Sequence, residues 1–324
     1  MRFWLHASAM LLVSWWSAPA VAQQQPPAHT TRWPGLASAD TGIESLEAGP
    51  ELQRGRDPVA MLREQRRLGA ALAALAPERK GVVDAYVLSV ALDSDPVFAR
   101  EARESGRVLA RRYDAEGRVL VLAGPDGRGG GAVPAGSVTA LTLALARIAE
   151  LMDRSQDVLV LYVTSHGAPE AGLAYHDGDQ GFGVLPPARL AAVLDGLGIR
   201  NRLLLLSACY SGAFVKRLMS DTTAILTAAS ATRASFGCSA ENDWTFFGDA
   251  LVNHALRKPQ PLADAAAEAR RTIIGWEREG RLDPSMPQVT IGDGVAAWLA
   301  PLEARMPKTA TAPVGAPATD ALRP

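Results

Sequence analysis

Two residues at the ends of apolar runs could carry nucleophilic chemistry. His166 follows the run Val158–Thr164, and Cys209 follows the run Arg202–Ala208. A free thiol has a pKa of about 8.5 and only the thiolate attacks, so a cysteine nucleophile needs a base or a positive charge beside it. An imidazole can take the thiol proton and later protonate a leaving amine. The pair therefore predicts a cysteine nucleophile assisted by a histidine.

The residues around this pair fit the same chemistry. The backbone amides of Gly167 and Cys209 are candidate donors to a carbonyl oxygen on which negative charge develops. Gly167 has no side chain, so a substrate backbone can approach it closely. A helix predicted from Gly212 would turn the positive end of its dipole toward the thiol. No acid lies at a spacing that would orient His166, so the sequence predicts a dyad.

Other candidate side chains have simpler interpretations. His176 lies beside acids and a glycine, which predicts a solvated loop, and His254 lies in a helical pattern, which predicts packing. A zinc site made by His166, His176 and Cys209 would lack the close paired spacing of metal ligands, so we expect no metal. Cys238 could form a disulfide with Cys209, which would silence the nucleophile, or remain a buried thiol.

The elements that position these residues alternate along the chain. Short runs rich in Val, Leu and Ile predict strands buried on both faces: Val82–Ala91, Arg118–Ala123, Asp157–Thr164, Arg202–Ala208, Thr223–Ala229 and, more weakly, Gln288–Ile291. Helical patterns lie between them: Pro58–Ala76, Val97–Tyr113, Ser137–Met152, Pro187–Leu197, Gly212–Met219, Trp244–Leu256 and Pro261–Trp276. This alternation predicts an α/β fold with a largely parallel sheet, whose ligands bind beyond the carboxyl ends of the strands.

The length and the two ends predict one exported domain. A chain of 324 residues with 48% apolar content can bury one large core. Residues 1–22 resemble a signal peptide cleaved after Ala22, so we expect a periplasmic or secreted protein. Residues 23–57 have the composition of a flexible linker, residues 58–302 form the predicted domain, and residues 303–324 have the composition of a disordered tail.

The charge balance and the cysteine count exclude other classes. The chain has 33 basic and 34 acidic residues, which gives no electrostatic reason to expect a nucleic-acid partner. Two cysteines are too few for a disulfide scaffold. No run after the signal is long and apolar enough to predict an integral membrane segment in the mature chain.

Taken together, these motifs resemble the legumain family of cysteine peptidases, relatives of the caspases. The resemblance rests on His166-Gly167, on Ala208-Cys209-Tyr210-Ser211-Gly212, and on the segments Thr227–Cys238 and Thr245–Asp249. It covers roughly Val82–Leu256 and is strongest to the bacterial, exported branch.

The resemblance implies a caspase-like three-layer sandwich with about six strands, and a peptidase without a cofactor or metal. It implies that Cys209 is the nucleophile and His166 the base, and it places a cysteine at position 238 in active relatives. The substrate pocket would be lined by Ser207, Ser235 and Asp249. The position of Ser207 is an acid in legumains, and the Asn-Tyr-Arg segment of their pocket has no counterpart here.

These observations predict an endopeptidase that acts on a protein or peptide substrate. It would cut through a thioester intermediate, after asparagine first and aspartate second. A transamidase with the same dyad, in which an amine replaces water, is an alternative. A peptide-binding or scaffold protein that has kept the fold without turnover is another, although an intact cysteine and histidine argue against it.

Overall fold

The computed structural model describes residues 57–124, 126, 133–176 and 182–322. The predicted signal peptide, residues 1–22, and all but the last residue of the predicted linker, residues 23–57, lie outside these ranges.

A six-stranded sheet forms the centre of the fold, as the sequence predicts. The strands of the described residues are β1 (Ala85–Ala91), β2 (Val119–Leu122), β3 (Val158–Thr164), β4 (Gly167–Ala168), β5 (Gly172–His176), β6 (Phe182–Leu185), β7 (Arg202–Ser207), β8 (Thr223–Thr227) and β9 (Gln288–Ile291). The central sheet has the order β2-β1-β3-β7-β8-β9, and β9 is its one antiparallel member. Strands β4, β5 and β6 form a small antiparallel sheet that no apolar run had predicted.

Helices connect the strands of the central sheet. They are α1 (Pro58–Ala73), α2 (Pro96–Arg112), α3 (Val138–Leu151), α4 (Pro187–Gly196), α5 (Val215–Leu218), α6 (Leu262–Glu279) and α7 (Val295–Arg305). Local sequence explains where two of them begin. Asp57 caps α1 by accepting hydrogen bonds from the amides of Val59 and Ala60, and Ser137 caps α3 in the same way.

The core has two layers because the strands β1, β3, β7 and β8 are buried on both faces. Along β3, Val158, Val160 and Tyr162 belong to one apolar cluster, and Leu159, Leu161 and Val163 belong to the other. The first cluster is covered by α2, α6, α7 and residues 248–257, and the second by α1, α3, α4 and α5. This helix–sheet–helix arrangement is consistent with the caspase-like sandwich that the resemblance implies. Among the described residues, no helix combines the length and apolar character needed to span a membrane.

Residues after β9 differ from the sequence interpretation. Helix α7 was not predicted, and residues beyond it, which have the composition of a disordered tail, run against the core. The indole N–H of Trp244 donates to the Val314 carbonyl at 2.8 Å, and the amide of Ala318 donates to Asp249 at 2.8 Å. Backbone groups make these contacts, so the Ala-Thr-Pro composition of the segment gives no sign of them.

Candidate active site

The carboxyl ends of three neighbouring strands meet at one edge of the sheet. Strands β1, β3 and β7 are parallel, with Ala91 beside Thr164 and Thr164 beside Ser207. The residues that follow each strand therefore gather at the same edge, where parallel sheets place their ligand sites. His166 follows β3, and Cys209 follows β7.

The backbone of Gly167 lies against Cys209. A Cβ atom added to Gly167 would lie 1.8 Å from the carbonyl oxygen of Cys209, far inside van der Waals contact. Only glycine fits at this position without a shift of the backbone. This close approach places the turn after His166 next to the candidate nucleophile, as expected from the sequence.

The sulfur of Cys209 is half-buried and lies against Ser235. It accepts a hydrogen bond from the amide of Ser235 at 3.2 Å, and the Ser235 hydroxyl lies 3.6 Å away. The pKa of Cys209 is lowered to about 5, chiefly by a hydrogen bond with the Cys238 thiol, and also by Ser235 and by the positive charge of His166. Burial acts in the opposite direction. The lowered pKa favours the thiolate of Cys209, which is the nucleophilic form.

Cys238 is the partner that keeps its proton. Both cysteines are free thiols in the structure. The pKa of Cys238 is raised by its hydrogen bond with Cys209 and by burial. The charge of the pair rests on Cys209 because Ser235 donates a backbone N–H to that sulfur. The sequence left open whether Cys238 forms a disulfide with Cys209 or remains a thiol. The structure has the thiol, which stays neutral beside the nucleophile.

The turn after Cys209 differs from the helix predicted over Gly212–Met219. Tyr210 has a left-handed conformation, with φ of 58°. It is followed by a 3₁₀ turn, Ser211–Phe214, and then by the single turn of α5. Such a short helix has a small dipole, so the low pKa of Cys209 comes from side-chain and amide donors rather than from a helix end.

Asp95 is the site residue that the sequence interpretation missed. Its Oδ2 atom lies 3.1 Å from Nε2 of His166. Asp95 occupies the N-cap of α2 but makes no capping hydrogen bond, and its carboxylate is turned to the imidazole instead. The sequence spacing predicted no acid beside His166. That prediction is wrong, because Asp95 lies there. The available signal was that Asp95 follows β1, which neighbours β3.

The same edge carries the side chains that most resemble metal ligands. Asp93, Asp95 and His166 each have one such atom, and the three atoms lie within 4.8 Å of one another. Asp93 is buried and the other two are partly exposed, and acidic clusters are common without an ion. The 3.1 Å contact between Asp95 and His166 already accounts for two of the three groups.

The three residues expected to line a substrate pocket lie in different surroundings. Ser235 contacts the sulfur of Cys209. Ser207 is buried, and its hydroxyl lies 2.9 Å from that of Thr245. Asp249 is fully buried and accepts hydrogen bonds from Asn253 and from the amide of Ala318. Of the three side chains, Ser235 is therefore the one that the structure brings to the nucleophile.

A buried acid lies beneath this edge. Glu101 is inaccessible to solvent and accepts hydrogen bonds from the hydroxyl of Tyr162 at 2.5 Å and the amide of Thr245 at 2.6 Å. Burial raises the pKa of Glu101. Thr245 joins Glu101 to Ser207, so an acid lies two contacts away from the position that is acidic in legumains. No motif or spacing in the sequence distinguishes Glu101 from other acids of its helix.

Two further histidines, His176 and His254, lie within the described part of the chain. His254 lies in a π-helix, Gly248–His254, with its Nε2 atom 3.3 Å from Asp249. His176 ends β5 and pairs with Phe182, so a strand is found where the sequence predicted a loop.

Comparison with known families gives a match over half of the chain. The model of the peptidase C13 family matches residues 136–297, which include His166 and Cys209. No protein in a curated collection matches the chain. Peptidase membership implies a protein substrate, and the match confirms the resemblance seen in the motifs. The chain therefore belongs to the peptidase C13 family, the legumain family of cysteine-type peptidases.

Proposed function

We propose that this chain is an endopeptidase in which the thiolate of Cys209 attacks the carbonyl carbon of a peptide bond. The observation that carries the proposal is the set of donors around the Cys209 sulfur, which lowers the pKa of its thiol to about 5. A resting thiolate is the form that attacks, and lowered pKa values are typical of catalytic cysteines.

His166 supplies the proton that the reaction needs. The sulfur forms a bond to the carbonyl carbon, and the C–N bond breaks as protonated His166 gives its proton to the leaving amine. The product is a thioester on Cys209. Neutral His166 then takes a proton from water, which attacks the thioester, releases the acid product and restores the thiolate. Asp95 acts as a positioning residue, because it holds one nitrogen of the imidazole at 3.1 Å.

The amides of Gly167 and Cys209 are our candidates for stabilising the negative oxygen of each tetrahedral intermediate. The close approach of Gly167 to Cys209 supports this role, because it brings the two backbones together at the point of attack. For the residue before the cut bond, asparagine first and aspartate second remain the proposed preference. Ser235, beside the sulfur, is the one predicted pocket residue whose position supports this.

We also propose that the enzyme is exported to the periplasm or the medium, because residues 1–22 have the pattern of a signal peptide. A free thiol pair has to remain reduced there for activity, so a fraction oxidised between Cys209 and Cys238 would be silent.

The test is intact-mass analysis after treatment with a peptide-like thiol electrophile. We expect one label per chain, lost in Cys209→Ala, retained in Cys238→Ser and slowed in His166→Ala. A peptide library then gives the residue preference, and addition of an amine nucleophile separates hydrolysis from transamidation by the mass of the products. Failure of folded, reduced protein to take up the label would refute the peptidase proposal and favour the binding or scaffold alternative.

A further inference from the structure

A cavity of about 140 Å³ opens between α2, residues 256–258 and the segment after α7. Its apolar walls come from residues such as Val108 and Met306. Its charged walls contain one acid, Glu104, and five cations: Arg107, Arg111, Arg112, Arg257 and Lys258. The volume is enough for roughly five water molecules, or for a small ligand.

Few acids balance these cations. Glu104 accepts hydrogen bonds from both Arg107 and Arg257, so one negative charge serves two guanidinium groups. Lys258 pairs with Glu268, at 2.6 Å. These pairs leave the cavity with an excess of positive charge.

Arg112 and Arg111 are the cations of this cavity whose charge is least offset by a close carboxylate. Arg112 is 2% exposed and donates to three backbone carbonyl oxygens, which carry no net charge. Its nearest carboxylate is that of Glu303, at 4.0 Å. Arg111 is exposed and donates to Thr309. A cation removed from water is costly unless a negative charge lies near it, so an anion in this cavity would stabilise the fold.

We propose that this cavity is a binding site for a small oxyanion, a group of the phosphate or dicarboxylate kind. Guanidinium groups bind such groups through paired N–H donors, and Arg107 and Arg111 lie one turn apart on the same helix with donors to spare. The segment after α7 closes the other side of the cavity, because Thr311 accepts a hydrogen bond from Arg257 at 3.2 Å. A bound anion would therefore hold α2 and this segment together.

The site is separate from the candidate active site. Phe98, near the start of α2, packs edge-on against the His166 ring with centroids 4.9 Å apart. Arg111 is thirteen residues further along the same helix, or roughly 20 Å at the α-helical rise. An anion at Arg111 would leave Cys209 open, so binding should be the same in Cys209→Ala. The proposal can therefore fail or succeed independently of the peptidase function.

The experiment is isothermal titration calorimetry of the full chain at pH 7.5 and constant ionic strength, with inorganic phosphate in one series and succinate in another. We expect one saturable site for at least one anion, and the tighter ligand identifies the preferred group. The double variant Arg107→Gln and Arg111→Gln should bind about tenfold more weakly or worse. Both residues are exposed, so the variant should still fold.

The matched control is Arg63→Gln with Arg66→Gln on α1, which removes the same charge from another exposed helix. It should change the affinity by less than about twofold, because distant exposed charges are screened by salt. The proposal is overturned if neither anion gives saturable binding. It is also overturned if the control variant loses as much affinity as the cavity variant, since that would indicate a general effect of net charge.

Discussion

Nε2 of His166 lies 3.1 Å from Oδ2 of Asp95, so one nitrogen of the candidate base is held by a carboxylate. An imidazole has two ring nitrogens, and a partner on one fixes which of them carries a proton. With Nε2 held by Asp95, Nδ1 is the nitrogen left to exchange protons with the reacting groups. This contact joins an acid in the segment after β1 to a histidine in the segment after β3.

Replacement of Asp95 by alanine should lower kcat by about tenfold or more, with a smaller change in KM. The imidazole would lose its fixed orientation, while the substrate-binding surface around Ser235 would be kept. Asp95→Asn retains an acceptor oxygen and should recover part of the loss. Steady-state kinetics on a peptide substrate measures the effect, with Asp153→Ala, at the opposite edge of the sheet, as the control. Equal kcat in Asp95→Ala and the parent chain would contradict the positioning role.

Removal of the Cys238 thiol should raise the pKa of Cys209 from about 5 toward the usual range of a thiol, because Cys238 is the largest cause of the lowering. The rate of iodoacetamide alkylation at Cys209, followed by mass spectrometry from pH 4 to 9, reports this pKa. In Cys238→Ala the midpoint should move upward, so labelling at pH 6 becomes slower. Cys238→Ser keeps a donor and should stay closer to the parent chain. Superimposable profiles for all three proteins would count against the contact.

The sequence predicted the central sheet well because four of its six strands, β1, β3, β7 and β8, are buried on both faces. Each of the six strands lies inside a predicted run, and the four buried parallel strands need a continuous stretch of Val, Leu or Ile. The small sheet of β4, β5 and β6 had no such stretch. Its strands are two to five residues long and partly exposed, so burial leaves little trace in their composition.

The sequence predicted those site residues whose reactive side chains directly follow a predicted strand. His166 and Cys209 have reactive side chains directly after apolar runs. Asp95 was missed because it comes four residues after β1, in a loop whose path depends on tertiary packing. The prediction of a helix dipole at Cys209 was wrong because local geometry interrupts the predicted helix. Tyr210 is left-handed, and a 3₁₀ turn follows it.

The buried Glu101 should make stability depend on pH. Burial raises its pKa in the folded state above the unfolded value of about 4.3. Above that pH the unfolded chain releases the proton while the folded chain retains it, so the free energy of unfolding falls as pH rises from about 4.3. Glu101→Gln cannot ionise and should flatten this part of the curve, by up to about 1.4 kcal/mol per pH unit.

Urea unfolding at several values between pH 4.5 and 8 measures the dependence. Glu116→Gln, which changes an exposed acid, should leave the slope of the parent chain unchanged. Parallel curves for Glu101→Gln and the parent chain would mean that Glu101 stays ionised in the folded state.

The C-terminal segment should stabilise the fold although its composition is that of a tail. Deletion of residues 312–324 removes the carbonyl of Val314, which accepts from the buried Trp244 indole at 2.8 Å. It also removes the amide of Ala318, which donates to the fully buried Asp249 at 2.8 Å. A buried polar group that loses its partner costs about 1 to 3 kcal/mol, so the deletion should lower the free energy of unfolding by about 3 kcal/mol or more.

The urea midpoint of the shortened chain, compared with the parent and with Val314→Ala, tests this. Val314→Ala keeps every backbone hydrogen bond of the segment and changes a side chain that is 42% exposed, so it should alter stability by less than about 0.5 kcal/mol. A large loss in the deletion together with a small one in Val314→Ala would assign the stabilisation to the backbone contacts and to the packing of Ala318 and Leu322 against the core. If the shortened chain unfolds at the same urea concentration as the parent chain, those contacts add nothing to stability. The segment would then behave as the tail that its composition predicts.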